Sequence, residues 1–408
     1  MTRGTDVTDL PLMYRTPAVA APGELPDELM IHLVKEWDLK YGENPNQPGA
    51  IYRFTASTLA ELTNTRIAKT GKGGLSLTNS LDIASALGIL KYFSDPGVAV
   101  MKHTNPSGVA TGKRSLRELY VGARDTDRRS AYGSVVGFNR AVDRDTAEEL
   151  LSTFVEVVAA PDYEEGVLEM LERKADLRVA LFSNIDRIPK YVGDDISGLY
   201  DIRVMLETGR VGVQRPYLSR IRSVSDLVLD PMVRVKDGEG ERRVVVARDP
   251  TEQELRDMMV SWRVNLRSKS NGVIFAKDGR TVAVGIGQQE RVGAVEQAGV
   301  KAYQKAMDRE AISYDALYGM LMTIPSGLTE EELTNFKARE DRVKRVLNGA
   351  VVSSDGFFPK RDSIDLLARM GVTGIIQPGG SKSDAEIIEA ANSHGMAMAF
   401  TRERCFLH

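Results

Sequence analysis

Asp95-Pro96-Gly97-Val98-Ala99-Val100-Met101-Lys102-His103-Thr104-Asn105-Pro106-Ser107-Gly108 places a short apolar run between two turn-forming clusters. Consecutive apolar residues stopped on both sides by Pro, Gly, Asp and Asn predict a buried strand over 98–101 and a turn over 105–108. Working outward, 147–154 reads as a helix and 156–160 as another buried strand, stopped by Pro161. A second stretch has the same grammar. Residues 271–276 form a strand, Lys277-Asp278-Gly279-Arg280 a hairpin turn, and 281–285 the returning strand. A helix follows over 291–306. Near the end, 372–377 reads as a strand, Pro378-Gly379-Gly380-Ser381 as a turn and 384–394 as a helix. Strands alternating with helices predict an α/β fold, its sheets covered by helices. Segments 98–108 and 372–381 share a loose layout, which suggests two similar subdomains.

With 408 residues the chain has room for two or three domains of about 100–200 residues each. The division expected is an irregular arm over 1–38, with one helix over 26–37, a first subdomain over 39–225 and a second over 226–408. A charged, mostly helical insertion is expected at about 307–347. Hydrophobic residues make up 42% and charged residues 27%, the balance of a globular chain. No apolar run approaches the roughly 20 residues of a membrane span, and the N-terminal residues lack the apolar stretch of a signal peptide. Cys405 is the single cysteine, so no internal disulfide or cysteine-rich metal site is expected. These features predict a cytoplasmic location. Net charge is −3 with the two signs well mixed, so neither nucleic acid nor membrane is an expected partner.

Lys102-His103 is the sharpest candidate for chemistry. The pair follows a buried strand, where α/β folds commonly hold ligands. Lysine can hold a developing negative charge, and an imidazole can take a proton near neutral pH. A strand-end pair that merely meets solvent would look the same. Lys40-Tyr41-Gly42-Glu43-Asn44-Pro45-Asn46-Gln47 is a dense polar loop, suited to a phosphate and a base amide or simply to a turn. Gly285-Ile286-Gly287-Gln288-Gln289-Glu290-Arg291 carries only part of a dinucleotide fingerprint, because Glu290 stands where the third glycine belongs. Asp355-Gly356-Phe357-Phe358-Pro359-Lys360-Arg361-Asp362 sets paired aromatics among charges, at a core boundary. The terminal Cys405-Phe406-Leu407-His408 is too apolar to fray, and docking is expected.

Together these segments resemble the transformylase part of the bifunctional purine enzymes that formylate AICAR and cyclise the product to IMP. The resemblance runs from about Leu39 to His408. It is carried in order by 39–47, Gly71-Lys72 with Asn79, 102–106, Ala131-Tyr132-Gly133, Lys269-Ser270-Asn271, Gly287-Gln288-Gln289 with Arg291, Phe357-Phe358-Pro359 with Asp362, Pro378-Gly379-Gly380-Ser381, and the closing Phe406 and His408. It implies two cytidine-deaminase-like α/β/α subdomains, a homodimer with active sites at the subunit interface, and 10-formyltetrahydrofolate as co-substrate. Some members hold a structural potassium ion. Zinc is not implied, because the His-x-Glu and Pro-Cys-x-x-Cys elements are missing.

By the same resemblance, His103 takes the proton of the 5-amino group, Lys102 stabilises the oxyanion, and Asn271 orients the reactants. Lys40, Tyr41, Tyr132, Gly133, Glu156, Arg404, Phe406 and His408 hold the ribonucleotide. Arg291, Phe357, Pro359, Asp362 and Ser381 form the folate side. Lys40 stands where the family has arginine, and Asn46, Leu77, Tyr314 and Lys360 also depart from its pattern. A formyltransferase with an altered donor and a non-catalytic nucleotide-binding homologue are the alternatives. Since 38 residues precede Leu39, and a domain needs about 100–200, formylation without ring closure is the expectation.

Overall fold

In the computed structural model, residues 4–10, 25–55, 65–238, 240–314, 322 and 325–408 are described. The chain is α/β, as its alternating pattern predicts, and its contacts divide it into two compact units. One comprises 17–104 and 132–222, the other 1–16, 105–131 and 223–408. The grouping therefore differs from a single cut near residue 225. Residues 105–131 cluster with the C-terminal half, because the strand Asn105–Thr111 pairs with Arg280–Gly285 at Ala110 and Arg280.

The unit containing 132–222 is built on a sheet ordered Gly97–Lys102, Ser134–Phe138, Val155–Ala160, Arg178–Leu181, Arg66–Lys69. The middle three run parallel, linked by the helices Arg144–Leu151 and Val167–Glu172, and the outer two run antiparallel to their neighbours. Its strands read as continuous apolar runs because both faces are covered. Val98, Val100, Val136 and Val158 are fully buried. The helix Leu77–Leu90 starts sharply because Ser76 and Asn79 exchange side-chain-to-backbone hydrogen bonds in a capping box.

The other unit repeats the plan. Val351–Ser354, Gly374–Gln377 and Ala397–Phe400 run parallel, linked by the helices Asp362–Arg369 and Asp384–Ser393. Val273–Lys277 runs antiparallel to Val351–Ser354 and to Arg280–Gly285. Phe275, Val352, Ile375 and Phe400 centre its core. The helix Glu252–Asn265 is closed by a Thr251/Glu254 capping box and Glu330–Lys344 by a Thr329/Glu332 one. The internal likeness is thus between 134–181 and 351–400, not between 98–108 and 372–381.

Three local expectations change. Residues 33–38 form a strand, not a helix. Leu33–Asp38 pairs antiparallel with Ala50–Phe54, and cross-strand partners outweigh a weak helical pattern. Asn105-Pro106-Ser107-Gly108 is the start of a strand, and the reversal falls earlier, on His103-Thr104. Gly108 serves that strand by absence of a side chain, since a Cβ there would lie 2.0 Å from the Ala123 carbonyl oxygen. The arm is not wholly irregular, because Thr5–Asp6 pairs parallel with Pro231 and Met232. Of the expected insertion, Glu330–Lys344 is helical, while 315–321 and 323–324 lie outside the described residues, as do 11–24 of the expected arm. Among the described residues no helix is long and apolar enough to cross a membrane.

Candidate active site

Lys102 is the last residue of the strand Gly97–Lys102, and the chain turns through His103 and Thr104 with φ of 51° and 65°. Two successive left-handed residues without glycine are costly. The helix Leu77–Leu90 offsets that cost. The Asp82 carboxylate accepts the Thr104 N–H at 2.5 Å, and burial pushes the Asp82 carboxyl above its ordinary value against the pull of Thr104, His103 and Lys102. The buried acid thus holds the turn that aims His103 outward. Lys102 is fixed from the other side, its Nζ donating to the Gly133 carbonyl at 2.6 Å and to the Tyr132 carbonyl at 3.4 Å.

Around this turn lie the other candidates of the same unit. Asn79 donates from Nδ2 to Glu156 at 3.1 Å, so one helix face presents Asn79 to Glu156 and, one turn on, Asp82 to Thr104. A Cβ added to Gly133 would lie 3.2 Å from Lys102 Nζ and 3.5 Å from Glu156 Oε1, which brings those two groups together. Tyr132 is 68% exposed and leans on Phe154, with ring centroids 5.0 Å apart. Lys40 and Tyr41 sit on the loop between the strands Leu33–Asp38 and Ala50–Phe54, and it meets the start of the helix, where Leu77 N–H donates to the Tyr41 carbonyl at 3.1 Å. Lys40 Nζ stands 5.4 Å from the Tyr41 ring centre. The cation is exposed there and the aromatic half-buried.

The second cluster belongs to the other unit. Asp355 is fully buried at the end of the strand Val351–Ser354 and binds the Arg291 guanidinium and the Ser270 hydroxyl. Its backbone accepts from Cys405 N–H at 3.0 Å and donates to the Gly272 carbonyl at 3.1 Å. The Leu407 carbonyl in turn accepts from Ser270 at 2.9 Å. The C-terminus is therefore docked, and burial pushes the Cys405 thiol well above its ordinary value. Asn271 donates from Nδ2 to the Gln288 carbonyl at 2.7 Å, tying the loop expected to orient the reactants to the one that carries Gly287-Gln288-Gln289. Arg404 stacks over Phe406 at 5.1 Å, and Phe406 meets His408 edge-on at 5.9 Å. Gly356 makes room for that group, since a Cβ there would meet Phe406 at 2.7 Å.

Arg291 is at the buried end of this cluster, 7% exposed, where it anchors Asp355. Phe357 and Pro359 are exposed on the neighbouring loop and Asp362 at the start of the helix that follows it, while Phe358 is core. Ser381 is buried and its backbone is held by Asp384, which accepts from Gly380 at 2.6 Å and from Ser381 at 3.2 Å. Burial pushes Asp384 up to about 6 from 3.8, against the pull of both N–H groups. A carboxyl that holds its proton more tightly when folded stabilises the fold most at low pH and loses that contribution as pH rises through about 6. Relative to Asp384→Asn, the wild type should therefore gain on the order of 2 kcal/mol between pH 7 and 4.5 in denaturation experiments. A flat difference would exclude the buried carboxyl as its source.

Asp82, Asp355 and Asp384, three of the buried acids, are given no role by the sequence alone. Asp82 does leave a signal, standing three residues beyond Asn79 on one helical face. Asp355 and Asp384 are marked only by their tertiary partners.

Residues 13–301 match the AICARFT/IMPCHase bienzyme family. The chain belongs to this family. It is similar to proteins named bifunctional purine biosynthesis protein PurH from Magnetococcus marinus, at 36% identity over 95% of this chain and 62% of that protein, and from Caldicellulosiruptor saccharolyticus, at 34% over 94% and 61%. The counterpart from Aquifex aeolicus is 36% identical over 91% of this chain and 59% of its own length. The chain thus spans about three fifths of the length of these relatives. Lys102-His103 and Asn271 fall inside the segment matched to the bienzyme family, whereas the C-terminal group lies beyond it.

Proposed function

We propose that this chain acts in purine biosynthesis by transferring a formyl group from 10-formyltetrahydrofolate to the 5-amino group of AICAR, giving FAICAR. The observation that carries the reading is the Lys102-His103 turn, held from behind by Asp82 and beside Glu156 and the Gly133 carbonyl. An amine and a formamide are poor partners, and the transfer needs a proton removed from one nitrogen and supplied to the other. The amine attacks the formyl carbon, a C–N bond forms, and His103 accepts the proton that leaves the amine. Lys102 stabilises the oxyanion of the tetrahedral intermediate. The bond to N10 then breaks, and Lys102 helps to protonate N10 as it leaves. In this reading Asn271 orients the reactants, and Lys40, Tyr41, Tyr132, Gly133, Glu156, Arg404, Phe406 and His408 hold the ribonucleotide. Arg291, Phe357, Pro359, Asp362 and Ser381 serve the folate side, Arg291 through Asp355 and Ser270. The functional assembly we propose is a homodimer.

One observation favours a modified donor site. Tyr314 is bound to Arg129 at 2.6 Å, and Arg129 to Asp308 at 2.5 Å, so this departure from the family pattern is locked into a local network. Purified chain incubated with AICAR and 10-formyltetrahydrofolate should form FAICAR, with IMP followed separately. Absence of FAICAR at saturating substrates would reject formyl transfer with this donor, and restored turnover with another formylated folate would locate the change in Tyr314 and its neighbours.

A further inference from the structure

The turn that carries Lys102-His103 has a counterpart in the other unit. Gly97–Lys102 and Val273–Lys277 both end on a lysine and both lead into a two-residue turn before the next strand. Both turns are left-handed throughout, with Asp278 at φ 55° and Gly279 at 76° where His103 and Thr104 stand at 51° and 65°. Each is clamped by an aspartate six residues beyond its helix cap. Asp82 follows Ser76, and Asp257 follows Thr251. Asp257 accepts from Gly279 N–H at 2.7 Å and from Asp278 N–H at 3.0 Å, as Asp82 does from Thr104. The same 20-residue interval separates Asp82 from Lys102 and Asp257 from Lys277. The lysines are anchored alike as well. Lys277 Nζ donates to the Asn348 carbonyl at 2.7 Å, just before the first parallel strand of its unit, where Lys102 uses Gly133. The scaffold of the candidate catalytic turn is therefore present twice.

The second copy lacks the imidazole, because Asp278 occupies the place of His103, so it cannot run the same proton transfer. It does open on a cavity of about 280 Å³ lined by Lys277, Asp278, Arg280, Arg309, Glu310 and Arg342, among others. That volume is near the small end of the roughly 300–1,000 Å³ typical of ligand pockets. Most charges in its wall are matched. Glu310 is paired with Arg342 at 2.7 Å, and Asp125 with Arg128 at 2.6 Å. Arg309 donates to the Asp125 carbonyl at 2.8 Å, which caps the helix Leu116–Arg124 without neutralising the guanidinium. Among the described residues Lys277 likewise bonds only a carbonyl, and no ion pair or hydrogen bond engages the Arg280 guanidinium. Burial and then the repulsion of Arg280 hold Arg309 below the usual arginine range, outweighing the pull of Asp125 and Glu310, while neither guanidinium is ion-paired among the described residues.

Like charges brought together with incomplete counter-charge are destabilising, and an anion placed among them lowers that cost. We propose that the cavity beside the Lys277–Arg280 turn binds a phosphate-bearing small molecule, with Arg280, Arg309 and Lys277 as its anion ligands. Its three anion ligands are not among the residues assigned to formyl transfer, and the proposal does not depend on that reading.

Titration calorimetry of the full chain with inorganic pyrophosphate, at fixed ionic strength, tests it. A saturable event should persist in Lys40→Ala, weaken about tenfold or more in Arg280→Ala, and recover in part in Arg280→Lys. Asp278→Asn tolerates the left-handed turn, removes a negative charge from the wall and should tighten binding. No saturable event, an event unchanged in Arg280→Ala, or one abolished by Lys40→Ala would overturn the proposal, the last by assigning the pyrophosphate to the candidate active site.

Discussion

Replacing His103 with alanine is expected to lower kcat for formyl transfer by about 10²–10⁴-fold, the usual contribution of a positioned general base. The effect should fall on kcat, with KM for AICAR little changed, because the imidazole is assigned to the proton and not to holding the ribonucleotide. Backbone strain must be separated from chemistry, since residue 103 sits at φ 51°. His103→Asn provides that control. Asparagine accepts the left-handed region more readily than alanine and cannot serve as the base. Loss of similar size in both variants, in steady-state assays with AICAR and 10-formyltetrahydrofolate, would fit the assignment. Near-normal turnover in either would remove His103 from the mechanism.

Asp355→Ala should cost about 3–5 kcal/mol of stability, the usual penalty for leaving a buried charge without its partner. Arg291 is 7% exposed and Asp355 fully buried, so no solvent replaces the lost carboxylate. The Ser270 hydroxyl loses its acceptor at the same time. Chemical denaturation would read the loss as a lower midpoint. Thiol labelling gives an independent measure, because Cys405 is buried and donates its backbone N–H to the Asp355 carbonyl at 3.0 Å. Faster labelling of Cys405 with the midpoint lowered would place the docking of the C-terminus on this ion pair. A loss below about 1 kcal/mol, the range of exposed pairs, would show that Arg291 is otherwise compensated.

Much of the candidate site is legible in the amino-acid sequence, because its residues stand beside signals that act over short range. Lys102-His103 follows an apolar run with the length and flanking turns of a buried strand, and Tyr132-Gly133 directly precedes another. The docked C-terminus is legible from its apolar residues. Residues 33–38 and 105–108 mislead for one reason. Proline and glycine in 105–108 signal a turn locally, and 26–37 carries a helical pattern, but each segment's fate rests on a strand contributed from a distance in the chain.

By itself the sequence determined the α/β class, the family and the positions of the lysine–histidine pair, since apolar runs, turn residues and ordered motifs are properties of neighbours along the chain. Only the tertiary structure decided that 105–131 joins the C-terminal unit and that Asp82, Asp355 and Asp384 hold the loops of the candidate site. It also brought out the second, cationic copy of the Lys102 turn around Lys277. A buried carboxylate acts through the N–H or guanidinium it meets in space, and that partner lies 64 residues away for Arg291 and Asp355. Spacing along a chain does not carry that information; packing does.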